Sequence, residues 1–213
     1  MVGSKQMDIR LDHGYPVAVL VECGVDECGI GSAIAEVYAA SCVLNPNRPV
    51  EGLADSKKLS PKRRKELSDE LKEKALDYCV ATASLEEIEQ LNVLYASHLA
   101  MKRAIDGLRI RPDIVLIDGN KLPKGLTVPA RAIVKGDATV AVISAASILA
   151  KVARDEAMLK YHEQYPQYGI DGHKGYLTAP HLAALKQHGP SPVHRKSYAP
   201  IRALLEASAI GGG

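Results

Sequence analysis

The chain has 213 residues, 46% of them hydrophobic, and a formal net charge of +2. That length and apolar content suit one main core, and the near-neutral balance excludes a polycation of the histone or basic-tail kind. No run approaches the roughly 18 apolar residues of a membrane span, and no cationic start leads into an apolar segment, so a cytoplasmic protein is expected.

Residues 1–14 read as a polar leader and 209–213 as a loose tail, flexible ends outside the fold. Val17 to Asp26 is apolar and β-branched enough for a buried strand. Gly29 and Gly31 then allow a turn into a second strand over Glu36 to Leu44, making a hairpin. Ser60 followed by Pro61 has the pattern of an N-cap with proline at the first helical position, opening a helix of about fifteen residues. A third strand spans Leu76 to Ala83. Ser84 with Glu87 forms a capping-box pattern, and Val93 to Asp106 predicts a helix closed by Gly107. Two short strands follow, Ile114 to Ile117 stopping at Asp118-Gly119-Asn120, and Ala130 to Lys135 stopping at Gly136-Asp137. A long helix from Val140 to about Tyr165 and shorter ones from Ala179-Pro180 and Ala199-Pro200 complete the chain. This order predicts an α/β fold: a mixed five-stranded sheet flanked by helices over 15–140, with a helical C-terminal part over 141–208 packed on it.

Lys57-Lys58, Lys62-Arg63-Arg64-Lys65, His173-Lys174 and His194-Arg195-Lys196 are separate basic runs on a near-neutral chain. They suit a groove that tracks phosphates, although any one of them alone equally suits a solvated helix face. Cys23, Cys28, Cys42 and Cys79 lie in apolar stretches without a CxxC pair and read as free core thiols. The late histidines, without a cysteine pair or HExxH, read mostly as surface residues.

The acids carry the chemistry. Asp26, Asp118 and Asp137 each close an apolar stretch, and Glu27 adjoins the first of them. One aspartate in such a place is commonly a turn or N-cap residue; three with an adjacent glutamate are harder to explain so. Neighbours on a regular strand point to opposite faces, so the expectation is that Gly29 and Gly31 curl the chain and bring Glu27 to the side of Asp26. Converging carboxylates repel unless a cation lies between them, and hard oxygen donors suit Mg²⁺ or Mn²⁺.

With these residues in view, the chain resembles the ribonuclease HII family from about Ala18 to Leu204. The resemblance rests on Gly24-Val25-Asp26-Glu27, the DSKKLS run at Asp55 to Ser60, Leu91-Asn92, and Leu116 to Asn120. Val134 to Asp137, the SAASILAKVARD run at Ser144 to Asp155, and His173 to Thr178 complete the series. It implies an RNase H-like fold with a helical C-terminal extension. It also implies endonucleolytic hydrolysis of RNA in RNA/DNA hybrids and incision 5′ to ribonucleotides embedded in duplex DNA, using two ions of Mg²⁺ or Mn²⁺; a monomer is expected. Position by position, the family's metal ligands fall on Asp26, Glu27, Asp118 and Asp137. Its tyrosine, packed on the deoxyribose beside the ribonucleotide, falls on Tyr176. The glycine loop that reads the 2′ hydroxyl falls on Gly29, Ile30 and Gly31, and phosphate contacts fall on Lys57, Lys58 and Lys135. The chain departs from the family where Gly29-Ile30-Gly31-Ser32 replaces Gly-Arg-Gly-Pro and where Ala35-Glu36-Val37 is set against Ala-Gly-Pro. Ile30 cannot supply the charge-assisted contact of an arginine. A nuclease shifted toward longer hybrids, or a non-catalytic hybrid-binding protein, are the alternative readings.

Overall fold

The computed structural model describes residues 10–12, 15–17, 20–54 and 56–210. Most of the expected leader, the last three residues of the expected tail and Asp55 lie outside the described residues. Arg10–Asp12 (β1) and Tyr15–Val17 (β2) pair antiparallel. Glu22–Cys28 (β3) and Val37–Val43 (β4) form the expected hairpin, with Asp26 opposite Ala40 and Glu27 opposite Ala39. The first strand of the main sheet thus begins and ends later than its apolar pattern predicts.

Ser60 accepts a hydrogen bond from the Arg63 N–H and starts Pro61–Lys74 (α1), with proline at the first turn as expected. Asp77–Ala83 (β5) is followed by Leu85–Leu91 (α2), whose capping box joins Ser84 and Glu87 in both directions. Asn92, at φ 68°, caps Val93–Asp106 (α3) by accepting from the N–H groups of Leu94 and Tyr95. Ile114–Asp118 (β6) and Ala130–Ile133 (β7) come next. The last strand stops two residues short of Lys135, and Asp137 lies not at its end but in the first turn of Gly136–Thr139 (α4). Ala141–Gln164 (α5), a 3₁₀ turn at Pro166–Tyr168, Ile170–His173 (α6), Ala179–His188 (α7) and Ala199–Ile210 (α8) finish the chain.

The main sheet has the order β5-β4-β3-β6-β7, with β6 parallel to both of its neighbours and the remaining pairs antiparallel. Side-chain alternation sorts its faces. Cys23, Val25, Ala39, Val115 and Ile117 meet α3 through Ala96, Ala100 and Ala104, whereas Ala40 and Cys42 meet α5 and α1 through Ala145, Leu149, Leu67 and Leu71. Small residues let α5 lie almost on the strand backbone. A Cβ on Gly24 would sit 2.0 Å from the carbonyl carbon of Val142, so even alanine there would push the helix away. The later part of α5 instead joins Ala33, Ile34, Tyr168, Ile170, Leu185 and Ile201 in a separate cluster. All four cysteines are unpaired, Cys23 and Cys42 fully buried. Among the described residues, no helix is long and apolar enough to cross a membrane.

Candidate active site

Where β6 ends, β3 continues. The parallel pairing stops at Val25 opposite Ile117, leaving Asp26, Glu27 and Cys28 bonded to β4 on one side and open on the other. This open edge, rather than a glycine curl, is what brings the two acids together. Glu27 is still within the strand and the chain turns only at Gly29, with φ 102°. Asp26 lies on the α5 face and folds back so that its Oδ1 accepts the Glu27 N–H at 2.8 Å. Both side chains line one cleft with Cys28, Ser56, Lys57, Arg64, Ser147, Lys151 and Tyr176, enclosing about 300 Å³. Asp118 ends β6 beside them, and its Oδ1 accepts the Asp137 N–H at 3.2 Å. The Asp137 carboxylate stands 3.9 Å from Lys57 Nζ, and its backbone carbonyl accepts from the Ser144 hydroxyl at 2.7 Å. The four acids picked out by the sequence therefore share one end of the sheet.

Burial and then the neighbouring Glu27 push the Asp26 carboxyl well above the usual carboxylate range, with Asp118 adding to the shift. Glu27 is also raised, by burial first and Asp118 second, while Lys57 opposes this. Ser147, bonded to Ser56 across 2.9 Å, helps keep Asp26 ionised. Like charges held together in a partly dry cleft are relieved by a cation. An all-oxygen donor set at this density fits a hard divalent ion. Among the described residues, no three of the His, Cys, Asp or Glu side chains already close around one point. Asp26, Glu27, Asp118 and Asp137 could hold such an ion by drawing inward.

The glycine loop and Tyr176 form the adjoining wall. A Cβ on Gly31 would lie 3.8 Å from the Tyr176 ring, and Tyr176 is 43% exposed. Ile30 is half-buried and its carbonyl accepts from Arg195 Nη1 at 2.9 Å. Glu36 turns away from the carboxylates, and the Tyr161 hydroxyl donates to it at 2.8 Å. Lys58 and Lys135 are exposed but do not line the cleft, whereas Lys57 does.

One expectation from the basic residues is overturned. Arg195 is buried, donating to the carbonyls of Ile30, Ala35 and Glu36, so backbone carbonyls rather than phosphates take its donors. Arg64 is also buried, donating to the Ser56 and Leu59 carbonyls and to Asp155, although it lines the cleft. His181 and His194 are likewise core residues, joined Nε2 to Nε2 at 3.1 Å, with His173 stacked on His181 at 4.1 Å between ring centres.

The ribonuclease HII family model matches residues 23–201. The chain belongs to the ribonuclease HII family. A ribonuclease HII of Desulforamulus reducens is 62% identical over 187 residues, covering 88% of this chain and 94% of that protein. The crystal structure of the ribonuclease H2 from Pyrococcus horikoshii matches with a TM-score of 0.73 and 28% identity, covering 87% of this chain and 97% of that one. That of Bst-RNase HIII in complex with Mn²⁺ shares the fold, with a TM-score of 0.69 and 16% identity over 89% of this chain and 70% of that one. The chain is thus an enzyme with the RNase H-like sheet expected of it.

One residue of this wall is strained. Ala35 is buried at φ 65°, a conformation that favours glycine. Val37 is an ordinary residue of β4. Sequence reasoning gave no role to Ser147, Lys151 or Arg154, although all three lie in the SAASILAKVARD run. Their spacing of four and seven places them on one face of α5, and that helical periodicity was the available signal.

Proposed function

We propose that this chain hydrolyses the RNA strand of RNA/DNA hybrids and incises 5′ to ribonucleotides embedded in duplex DNA, leaving 5′ phosphate and 3′ hydroxyl. The observation that carries the reading is the open edge of β3, where Asp26 and Glu27 sit beside Asp118 with their ionisation opposed by burial and by the Asp118 charge. Asp26, Glu27, Asp118 and Asp137 are assigned as the catalytic carboxylates and metal ligands. Two bound ions, Mg²⁺ or Mn²⁺, would supply an activated water for in-line attack on the phosphate and stabilise the departing 3′ oxygen. The Mn²⁺ named in the Bst-RNase HIII complex supports divalent-ion use.

The remaining roles belong to the chain itself. Gly29 and Gly31 let the loop backbone approach the strand closely, and its N–H and carbonyl groups read the 2′ hydroxyl that separates RNA from DNA. The exposed face of Tyr176, beside Gly31, packs on the deoxyribose that follows. Lys57 at the cleft, with Lys58 and Lys135 outside it, holds phosphates and keeps the duplex in register. The protein acts as a cytoplasmic monomer, with residues 15–140 as the catalytic core and 141–208 as the helical part that brings Tyr176 to it. A cleavage assay on a duplex with one embedded ribonucleotide and on a continuous RNA/DNA hybrid, with Mg²⁺ and Mn²⁺ in parallel, tests this. Metal-dependent cutting of both, 5′ to the ribonucleotide in the first, is the expected result; inactivity on both would leave only hybrid binding.

A further inference from the structure

Arg154 leaves α5 and is fully buried. Taking a guanidinium out of water is costly unless its donors are used, yet Nε and Nη1 have no hydrogen-bond partner among the described residues. Its one bonded nitrogen serves two different segments. Nη2 donates to the Ser32 hydroxyl at 2.9 Å and to the Lys174 carbonyl at 2.7 Å. The guanidinium carbon lies 5.6 Å from the centre of the Tyr176 ring, within cation–π range. Nε packs so closely under Gly29 that a Cβ there would come within 2.6 Å of it.

One side chain therefore touches the first glycine of the loop, the serine that closes the loop, the residue two before Tyr176, and the tyrosine ring itself. Arg195 works differently: its three bonds go to the carbonyls of Ile30, Ala35 and Glu36, so it fixes the path of the loop alone. Ser32 strengthens the link from the loop side. Its hydroxyl receives Arg154 and lies 2.9 Å from the Ile34 carbonyl and 3.2 Å from the Gly175 carbonyl, contacts that a proline at this position cannot make.

We propose that Arg154 is the positioning residue that holds the glycine loop and Tyr176 at a fixed separation, and so sets the preference for a ribonucleotide followed by deoxyribose. The proposal rests on the junction-reading role given above to that loop and tyrosine. An embedded ribonucleotide must satisfy both halves at one register, so a small displacement between them is felt in full. A continuous hybrid offers 2′ hydroxyls at successive registers and loses less.

The test is a double-mutant cycle of Arg154→Met and Tyr176→Ala, with kcat/KM measured on both substrates. Arg154→Met is expected to lower incision at an embedded ribonucleotide by about 10²-fold, the scale of a 1 Å misplacement, and cutting of the continuous hybrid by less than tenfold. In the Tyr176→Ala background the same change should add little, since the two residues act as one unit. Should Arg154→Met fail to fold, Ser32→Ala takes its place in the cycle, with an expected loss of about tenfold, the low end for one hydrogen bond from a charged donor. Equal losses on both substrates, or losses that multiply independently of Tyr176, overturn the proposal. Wild-type protein that cuts the hybrid but not the embedded ribonucleotide overturns the junction reading first, and the proposal with it.

Discussion

The two walls of the cleft handle buried charge in opposite ways. On the sheet side, Asp26 and Glu27 lie side by side next to Asp118, so that burial and Glu27 make ionisation of Asp26 harder and Asp118 opposes it in both. On the loop side, Arg154 and Arg195 are at least as buried, but the hydrogen bonds they make run to backbone carbonyls and a serine hydroxyl. Carbonyl dipoles stabilise a cation without asking anything of the solvent. Adjacent carboxylates get only partial relief from Ser147, the Glu27 N–H and Lys57, and a cation from outside would complete it. The first arrangement suits a reaction centre, the second a frame that holds a surface still.

The strongest way to break this contrast is to neutralise one acid. Asp118→Asn keeps the shape and the acceptor for the Asp137 N–H but removes a charge. Loss of a metal ligand removes several kcal/mol of transition-state stabilisation, which is on the order of 10³-fold or more in rate. Metal-free protein should meanwhile melt about 2–4 °C higher, the shift expected for roughly 1 kcal/mol of relieved repulsion in a chain of this size. Near-normal cleavage, or a clear fall in melting temperature, would reduce Asp118 to a turn residue.

Ile30→Arg sharpens the other wall. An arginine here adds a charge-assisted contact of about 1.5–3 kcal/mol, or about 10- to 150-fold, and the gain should be larger for an embedded ribonucleotide than for a continuous hybrid. The Glu36 carboxylate is already held by the Tyr161 hydroxyl, so it does not compete for the new guanidinium. The single substitution should therefore suffice, with no further gain from Glu36→Gly. Rescue only in the double variant would show that Glu36 captures the arginine after all.

What the sequence revealed follows the same divide. The acids are legible because three aspartates closing apolar runs, one with an adjacent glutamate, are together hard to explain as turns; helix caps such as Ser60 and Ser84 are legible because they act within four residues. The reason Glu27 joins Asp26 was not legible: it depends on where β6 stops, a fact about a strand some ninety residues away. Arg195 and His194 looked like a surface basic run because their partners, the carbonyls of residues 30–36 and the rings of His181 and Tyr168, are distant in sequence. Long basic side chains are exposed on average, and only tertiary structure identifies the exceptions.

The histidines give a stability prediction on the loop side. The Ser191 N–H donates to His194 Nδ1 at 2.9 Å, leaving the His194 proton on Nε2 to meet His181 Nε2, while His181 Nδ1 faces the Tyr176 carbonyl at 3.0 Å. A further proton would set one N–H against another. Burial lowers both histidines, His194 to about 4. With folded values below the unfolded value of about 6.5, their contribution is complete above pH 6.5 and is lost as pH falls toward 4. For His194 alone that loss is about 2–3 kcal/mol at pH 4.5, so the melting temperature should drop between pH 7 and 4.5, and drop less in His194→Gln. An identical pH profile in the variant would mean that the cluster accepts a proton without cost.

The smallest expected effect separates two neighbouring lysines. Lys57 lines the cleft and stands 3.9 Å from an Asp137 oxygen, whereas Lys58 is exposed and does not line it. A lysine that meets a phosphate releases a counterion on binding, so its removal reduces the slope of log affinity against log salt by about one. Lys57→Ala should flatten the slope for hybrid binding by that amount and narrow the affinity change between 50 and 200 mM salt by about threefold. Lys58→Ala should flatten it by less. The comparison is best made with Ca²⁺ or without metal, so that binding is read without turnover. Equal flattening in both variants would mean that the backbone runs past the cleft over both side chains. An unchanged slope in both would make this turn a solvated face and shift the phosphate contacts to Lys135 or Lys151.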